Sequence, residues 1–416
     1  MLLKNIMLAG GERRDMQICG GVIHRCGAFI DGGADETLDC AGLYALPSFT
    51  DIHCHLREPG FEYKEDIASG TLAALWGGYR AVCAMPNTSP VTDTPEMLRR
   101  VLDIAAERGS CEVYPAAAIT LGQRGEQLVD FDALHDAGAA AFSDDGHPVT
   151  DEAVMYQAMK RCAARGYLII THPEYLSLTG GGVMNEGEVS RRLGLRGNPG
   201  IAEDLMIIRD IALAEATGCR LHIAHISTAR GMQAVREAKA RGVSVTAETC
   251  PHYFSMCDTD VEKYGAAAKM NPPLRTEADR RAVIAAIADG TCDCISTDHA
   301  PHSDEEKSRG LEKSPNGIIG IQTAFCSAYT HLVKTGIISL TRLCELMAYN
   351  PSAILGHKTS LSEGGAADIT LFSPDETTAV TREWLKSKSA NTPLLGQTLS
   401  GRVKYVVRGG ELIKIM

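Results

Sequence analysis

Eight short apolar runs alternate with amphipathic stretches through the middle of this chain, and few folds accommodate that order. The runs lie at 43–52, 79–84, 112–119, 139–143, 167–171, 220–226, 243–247 and 292–297. Between them, stretches such as 91–108, 151–165, 201–217, 229–241 and 276–289 repeat their apolar residues on a helical period. Strands with near-continuous apolar character are covered on both faces, which is the habit of parallel sheets. Eight of them separated by helices predict a closed (β/α)8 barrel of the TIM type. An open, doubly wound sheet is the rival arrangement, but no glycine-rich dinucleotide or phosphate fingerprint supports it.

The two ends read differently. Leu2 to Leu8, Met16 to Ile23 and Ala28 to Ile30 are strand-like pieces broken by glycines, and Asp368 to Phe372, Val403 to Val407 and Glu411 to Ile413 repeat that character. Neither end carries enough apolar residues to fold alone. Together they predict one small composite β-sandwich, 1–45 plus 366–416, around a barrel at 46–365.

Composition narrows the partners. Lys and Arg number 41 against 52 Asp and Glu, a formal charge of −11. With no basic patch, nucleic acid and anionic membranes are not expected partners, and no apolar run is long enough for a membrane span. The opening MLLKNIMLAGGERRD lacks the apolar stretch of an export signal, so a cytoplasmic location is expected. The fourteen cysteines are then expected to be free thiols, and no Cys-x-x-Cys points to a zinc knuckle.

In such barrels the chemistry gathers where strands give way to loops. The segment DIHCHLREPG (51–60) places Asp51, His53 and His55 two apart, a spacing that puts residues on one face of a strand. Paired imidazoles suit a zinc ion, and Arg57 beside them offers a fork that fits a carboxylate. Further candidate ligands end other strands: Asp144 and Asp145, His172, His225 and Asp298. Spacing does not choose between Asp144 and Asp145. His222 is expected to pack elsewhere, His299 to point away from Asp298, and Glu248 and His252 to pack or support. Four histidines and two or more carboxylates exceed what one catalytic cation needs, so two metals sharing a carboxylate fit better.

An ordered series of motifs runs nearly end to end: DIHCHLREPG, EYKED (62–66), MPNTSPVTD (85–93), FSDDG (142–146), NEGEVSRRLGLRG (185–197), HIAHIST (222–228), KMNPPLR (269–275) and TDHAPH (297–302). On these motifs the chain resembles the amidohydrolase superfamily and, within it, the bacterial type I dihydroorotases. The resemblance implies zinc, one or two ions per subunit with two favoured. It assigns His53, His55 and Asp298 to one ion, His172 and His225 to the other, and Asp145 to the bridge. It implies that Asp298 is catalytic and carries the reaction's proton. It also implies that His55, Arg57, Asn87, Asn271, His302, Asn316 and Gly317 hold the substrate. The implied reaction is the reversible closure of N-carbamoyl-L-aspartate to L-dihydroorotate in pyrimidine biosynthesis. A small-molecule substrate, a homodimer and a complex with an aspartate transcarbamoylase are the expected partners. The alternatives are another cyclic amidohydrolase, an allantoinase or dihydropyrimidinase, and an inactive scaffold barrel for that transcarbamoylase. The departures are Pro47-Ser48 for the usual Pro-Gly before the first metal strand, and Pro-Glu following His172.

Overall fold

Each apolar run of the middle contains a strand, and the amphipathic stretches between them coil into helices. The computed structural model describes residues 1–31 and 36–415. Residues 32–35 and 416, inside the ranges expected for the terminal unit, lie outside the described residues. The barrel strands are β1 (Phe49–Cys54), β2 (Tyr79–Ala84), β3 (Glu112–Ala117), β4 (Ala141–Phe142), β5 (Leu168–Thr171), β6 (Arg220–Ile223), β7 (Val245–Thr249) and β8 (Cys294–Ile295). They pair in chain order and all in parallel. The ring closes just beyond β8, where the Asp298 N–H donates to His53 O at 3.0 Å and the His55 N–H to His299 O at 2.9 Å. The closing seam therefore runs through the residues expected to carry chemistry.

The helices begin where side chains can satisfy their free N–H groups. Thr94, Asp151, Thr228 and Thr276 cap Pro95–Arg108, Glu152–Arg165, Ala229–Ala240 and Glu277–Asp289, each accepting a bond from the first turn. Such caps contribute about 1 kcal/mol each. Asp66, the last residue of EYKED, caps Ile67–Trp76, the helix that follows β1. The inner faces of these helices close over the strands in one apolar shell that includes Leu98, Met159, Ile207, Val235 and Ile287.

Strands from both ends share one hydrogen-bonded path and form the small β-sandwich. Leu2–Leu8, Arg13–Cys19, Val22–Gly27, Thr37–Asp39 and Tyr44–Pro47 join Ile369–Ala379, Thr398–Arg408 and Glu411–Lys414. Leu3, Ile6 and Met16 from one end bury against Ile369, Leu371 and Val407 from the other, which is why neither end suffices alone. The run at 43–52 is two strands rather than the single barrel strand expected. Tyr44–Pro47 pairs with Met7 and Leu8 and with Ile369–Phe372, two residues past the expected boundary at 45. Pro47 then ends that strand, Ser48 turns the corner, and β1 starts at Phe49. Among the described residues no helix is long and apolar enough to cross a membrane, and the cysteines are unpaired.

Candidate metal centre and substrate cavity

The barrel rim opens into a cavity of about 210 Å³. It is lined by His55, Arg57, Asn87, Asp145, Gly146, His172, His225, Asn271, Asp298, Ala300, His302, Asn316 and Gly317. Every residue that the resemblance assigns to the site except His53 reaches that wall, whereas the candidates Asp51 and Asp144 do not. His53 lies just behind it, fully buried.

Asp145 sits at the centre. Its Oδ1 lies 3.3 Å from His53 Nε2, 3.4 Å from His172 Nδ1 and 3.7 Å from His225 Nε2, and its Oδ2 lies 3.4 Å from His55 Nε2. Asp298 Oδ1 is 3.1 Å from His55 Nε2 and 3.7 Å from His53 Nε2. Potential ligand atoms gather in two groups, His53 with His55 and Asp298, and His53 with Asp145 and His225. His172 joins the second through its Nδ1, 3.0 Å from His225 Nε2. The neighbour of Asp145 points elsewhere: Asp144 accepts from the Ile119 and Thr120 N–H groups and the Thr120 hydroxyl.

The donor set fits a cation on physical grounds. His53 Nε2 and Asp145 Oδ1 face one another, both buried and both without a hydrogen-bond partner. Leaving such atoms bare costs about 1–3 kcal/mol each, and a cation between imidazole and carboxylate satisfies both. Burial opposes charge on Asp145, but His53, His172 and His225 outweigh it and hold the carboxyl well below its ordinary range. Burial likewise works against Asp298, yet His55 and the nearby imidazoles hold it down to about 2. Both carboxyl groups are therefore held in the ionised form.

The backbone is bent to this purpose. Arg57, His225 and Asp298 have φ of 61°, 34° and 44°, a region that costs a non-glycine residue about 1–3 kcal/mol. Gly317 has φ of 132°, and a Cβ there would lie 2.7 Å from the Ala300 side chain, so only glycine lets the two stretches of wall touch.

Asp51 departs from expectation. Between Asp51 and Cys54 the register of β1 against β2 slips, three residues spanning two, so two-residue alternation fails there. The Asp51 carboxylate accepts from the Thr297 N–H and hydroxyl and braces the β1–β8 seam. Burial pushes it up to about 7, with the Thr297 bonds opposing. It is a strut, not a ligand.

A match to the Dihydro-orotase-like family model covers residues 42–231. A dihydroorotase of Ruminiclostridium cellulolyticum is 46% identical over 397 residues, covering 95% of this chain and 93% of that protein. One from Desulforapulum autotrophicum is 44% identical over 408 residues, covering 97% and 95%. The chain belongs to the dihydroorotase family. The fold extends more widely: an L-hydantoinase (dihydropyrimidinase) from Arthrobacter aurescens superposes with a TM-score of 0.90 at 23% identity, covering 99% of this chain and 95% of that one.

Glu248 supports the cluster as expected, whereas Glu174 carries no expectation from the sequence. Glu248 on β7 accepts from His53 Nδ1 at 3.0 Å and from the His225 N–H at 3.2 Å, and its other oxygen meets His222 Nε2 at 3.2 Å. It thereby fixes the His53 proton on Nδ1 and leaves Nε2 free for a cation. Glu174 meets His172 Nε2 at 3.5 Å and accepts from Asn271 at 2.8 Å and Asn198 at 3.0 Å. Burial disfavours its charge, but His172 and these amides hold it down to about 2. For Glu174 the available signal was its place two residues after the candidate ligand His172, just past the end of β5.

Proposed function

We infer that this cavity interconverts N-carbamoyl-L-aspartate and L-dihydroorotate, the dihydroorotase reaction. The observation that carries the reading is Arg57 in the wall of the cavity that the histidine–aspartate cluster lines. A fixed guanidinium there suits an acidic ring and leaves a neutral hydantoin or dihydropyrimidine with an unpaired charge beside it.

We propose that His53, His55, Asp145, His172, His225 and Asp298 hold one or two zinc ions, two in the preferred form. Bound zinc would lower the pKa of water and polarise the amide carbonyl. The remaining work belongs to the chain. Arg57 and Asn87 seat the substrate carboxylate. Asn87 is itself held by His55 Nδ1, 2.9 Å from its Oδ1. Asn271, from the connection between β7 and β8, reaches the cavity beside His172, its Nδ2 3.3 Å from His172 Nε2. His302 donates from Nε2 to Asn316 O at 2.7 Å, and burial, with Arg57 and Lys64, depresses it to about 3, so it meets substrate as a neutral imidazole. Asp298, ionised, takes a proton from the attacking water and passes it to the ring nitrogen as the C–N bond breaks. Cyclisation runs the same transfers backwards.

The finer reading is a bacterial type I enzyme, which rests on the resemblance of the ordered motifs from DIHCHLREPG to TDHAPH. It includes a cytoplasmic homodimer open to an aspartate transcarbamoylase partner. Sedimentation of the protein alone and with that partner tests the assembly.

Assaying dihydroorotate, hydantoin, dihydrouracil and allantoin side by side tests the chemistry. Turnover of dihydroorotate far above the three neutral rings is expected. Equal or better turnover of a neutral ring overturns the reading.

A further inference from the structure

Residues 380–397, between the two long C-terminal sandwich strands, leave that unit and lie along the barrel rim. They are anchored at successive points. The Lys386 N–H donates to Gln322 Oε1 at 2.8 Å, and the Lys388 N–H donates to Glu65 Oε1 at 3.1 Å. The Ser389 hydroxyl donates to Lys64 O at 2.7 Å. The strap thus grips the EYKED loop after β1 and then reaches the adjoining cavity wall, where Lys64 Nζ lies 3.3 Å from His302 Nδ1.

There Asn391, buried, spends nearly its whole amide on the backbone of that wall. Its Oδ1 accepts from the His302 N–H at 3.1 Å, and its Nδ2 donates to Ala300 O at 3.1 Å and to Gly317 O at 3.0 Å. Its own carbonyl accepts from the Ile319 N–H at 3.0 Å. The stretches 300–302 and 317–319 carry the cavity-lining residues His302 and Gly317, and Ala300 lines it too. They touch with no slack at Gly317, so a shift in one displaces the other.

We propose that Asn391 is a positioning residue for substrate binding. Through it the terminal β-sandwich sets the spacing of the cavity wall against which Arg57 rests, its Nε donating to Pro301 O at 3.3 Å. The inference rests on the proposed reading of that wall as substrate-binding. Asn391 touches neither the cavity nor any expected metal ligand. Its loss therefore changes affinity for substrate and leaves the proton transfer at Asp298 and the metal cluster intact.

The test compares Asn391→Asp and Asn391→Ala with the wild-type holoenzyme, measuring KM and kcat for dihydroorotate, metal content and Tm. Asn391→Asp keeps size and the acceptor to His302 but removes both donors and sets a carboxylate against two carbonyls. The expected result is a KM raised about tenfold or more, kcat within about threefold and metal content unchanged. A KM within about twofold of wild type in Asn391→Asp overturns the proposal. So does a parallel fall of kcat, metal content and Tm, or failure of both variants to fold, since each marks a structural clip only. Arg57→Met, run alongside, separates the two readings. If its KM is unchanged, the substrate wall itself is wrongly placed. If its KM rises and that of Asn391→Asp does not, only the role of Asn391 fails.

Discussion

The two halves of the histidine cluster are supported in different ways. On the β1–β8 side, His53 is fully buried, and its backbone carbonyl is tied to the Asp298 N–H across the barrel seam. Its imidazole is aimed by Glu248, itself wholly buried on β7. On the β5–β6 side, His172 stands just past the end of its strand and leans on Glu174, which loop residues Asn198 and Asn271 hold in turn. The first half is thus part of the barrel's own hydrogen bonding; in the second, His225 shares Glu248 through its N–H at 3.2 Å, and only His172 depends on loop residues, Asn271 among them facing the cavity. The difference teaches that, of the two proposed cation positions, the first is preorganised by the fold, whereas the second shares its support at His172 with the substrate cavity.

Four substitutions break or sharpen this contrast. Asp298→Asn, on the barrel-built side, keeps its backbone bond to His53 but loses its base; kcat is expected to fall about 10²–10⁴-fold with metal retained. Rates and elemental analysis of that variant check it, and wild-type turnover would remove Asp298 from its role. Arg57→Met removes charge-assisted bonds to the acidic ring, so KM should rise roughly 10–100-fold with little change in kcat. Glu248→Gln releases the His53 proton and should weaken zinc binding about 10–100-fold, read by competition with a chromophoric chelator. Glu174→Gln should weaken only the second zinc, by about tenfold or less, with KM moving alongside because Asn271 is freed. If Glu174→Gln costs as much as Glu248→Gln, the two halves are equivalent and the contrast fails.

Much of this was legible in the chain because ligand chemistry and strand periodicity are local. His53, His55, His172, His225 and Asp298 each end an apolar run, and in a barrel those ends meet. What was not legible depends on register or on distant chain. The slip between Asp51 and Cys54 turns Asp51 into a strut for Thr297, and no residue type announces it. The positive φ at Arg57, His225 and Asp298 falls on side chains that ordinarily avoid it, so composition gives no warning. The partners of Glu248 and Glu174 are distant in the chain, and only the fold brings His53 to the one and Asn271 to the other. Asn391 lies 89 residues from His302, in a segment that looked like part of the sandwich.

Among the described residues Asp145 is the only one within 4 Å of all four imidazoles, and the account stands or falls on it. Zinc content and dihydroorotate turnover of Asp145→Ala, measured on the same preparation as wild type, test it most directly. Loss of zinc from the second position together with most turnover is the predicted result. Wild-type zinc and wild-type turnover in that variant would contradict the account.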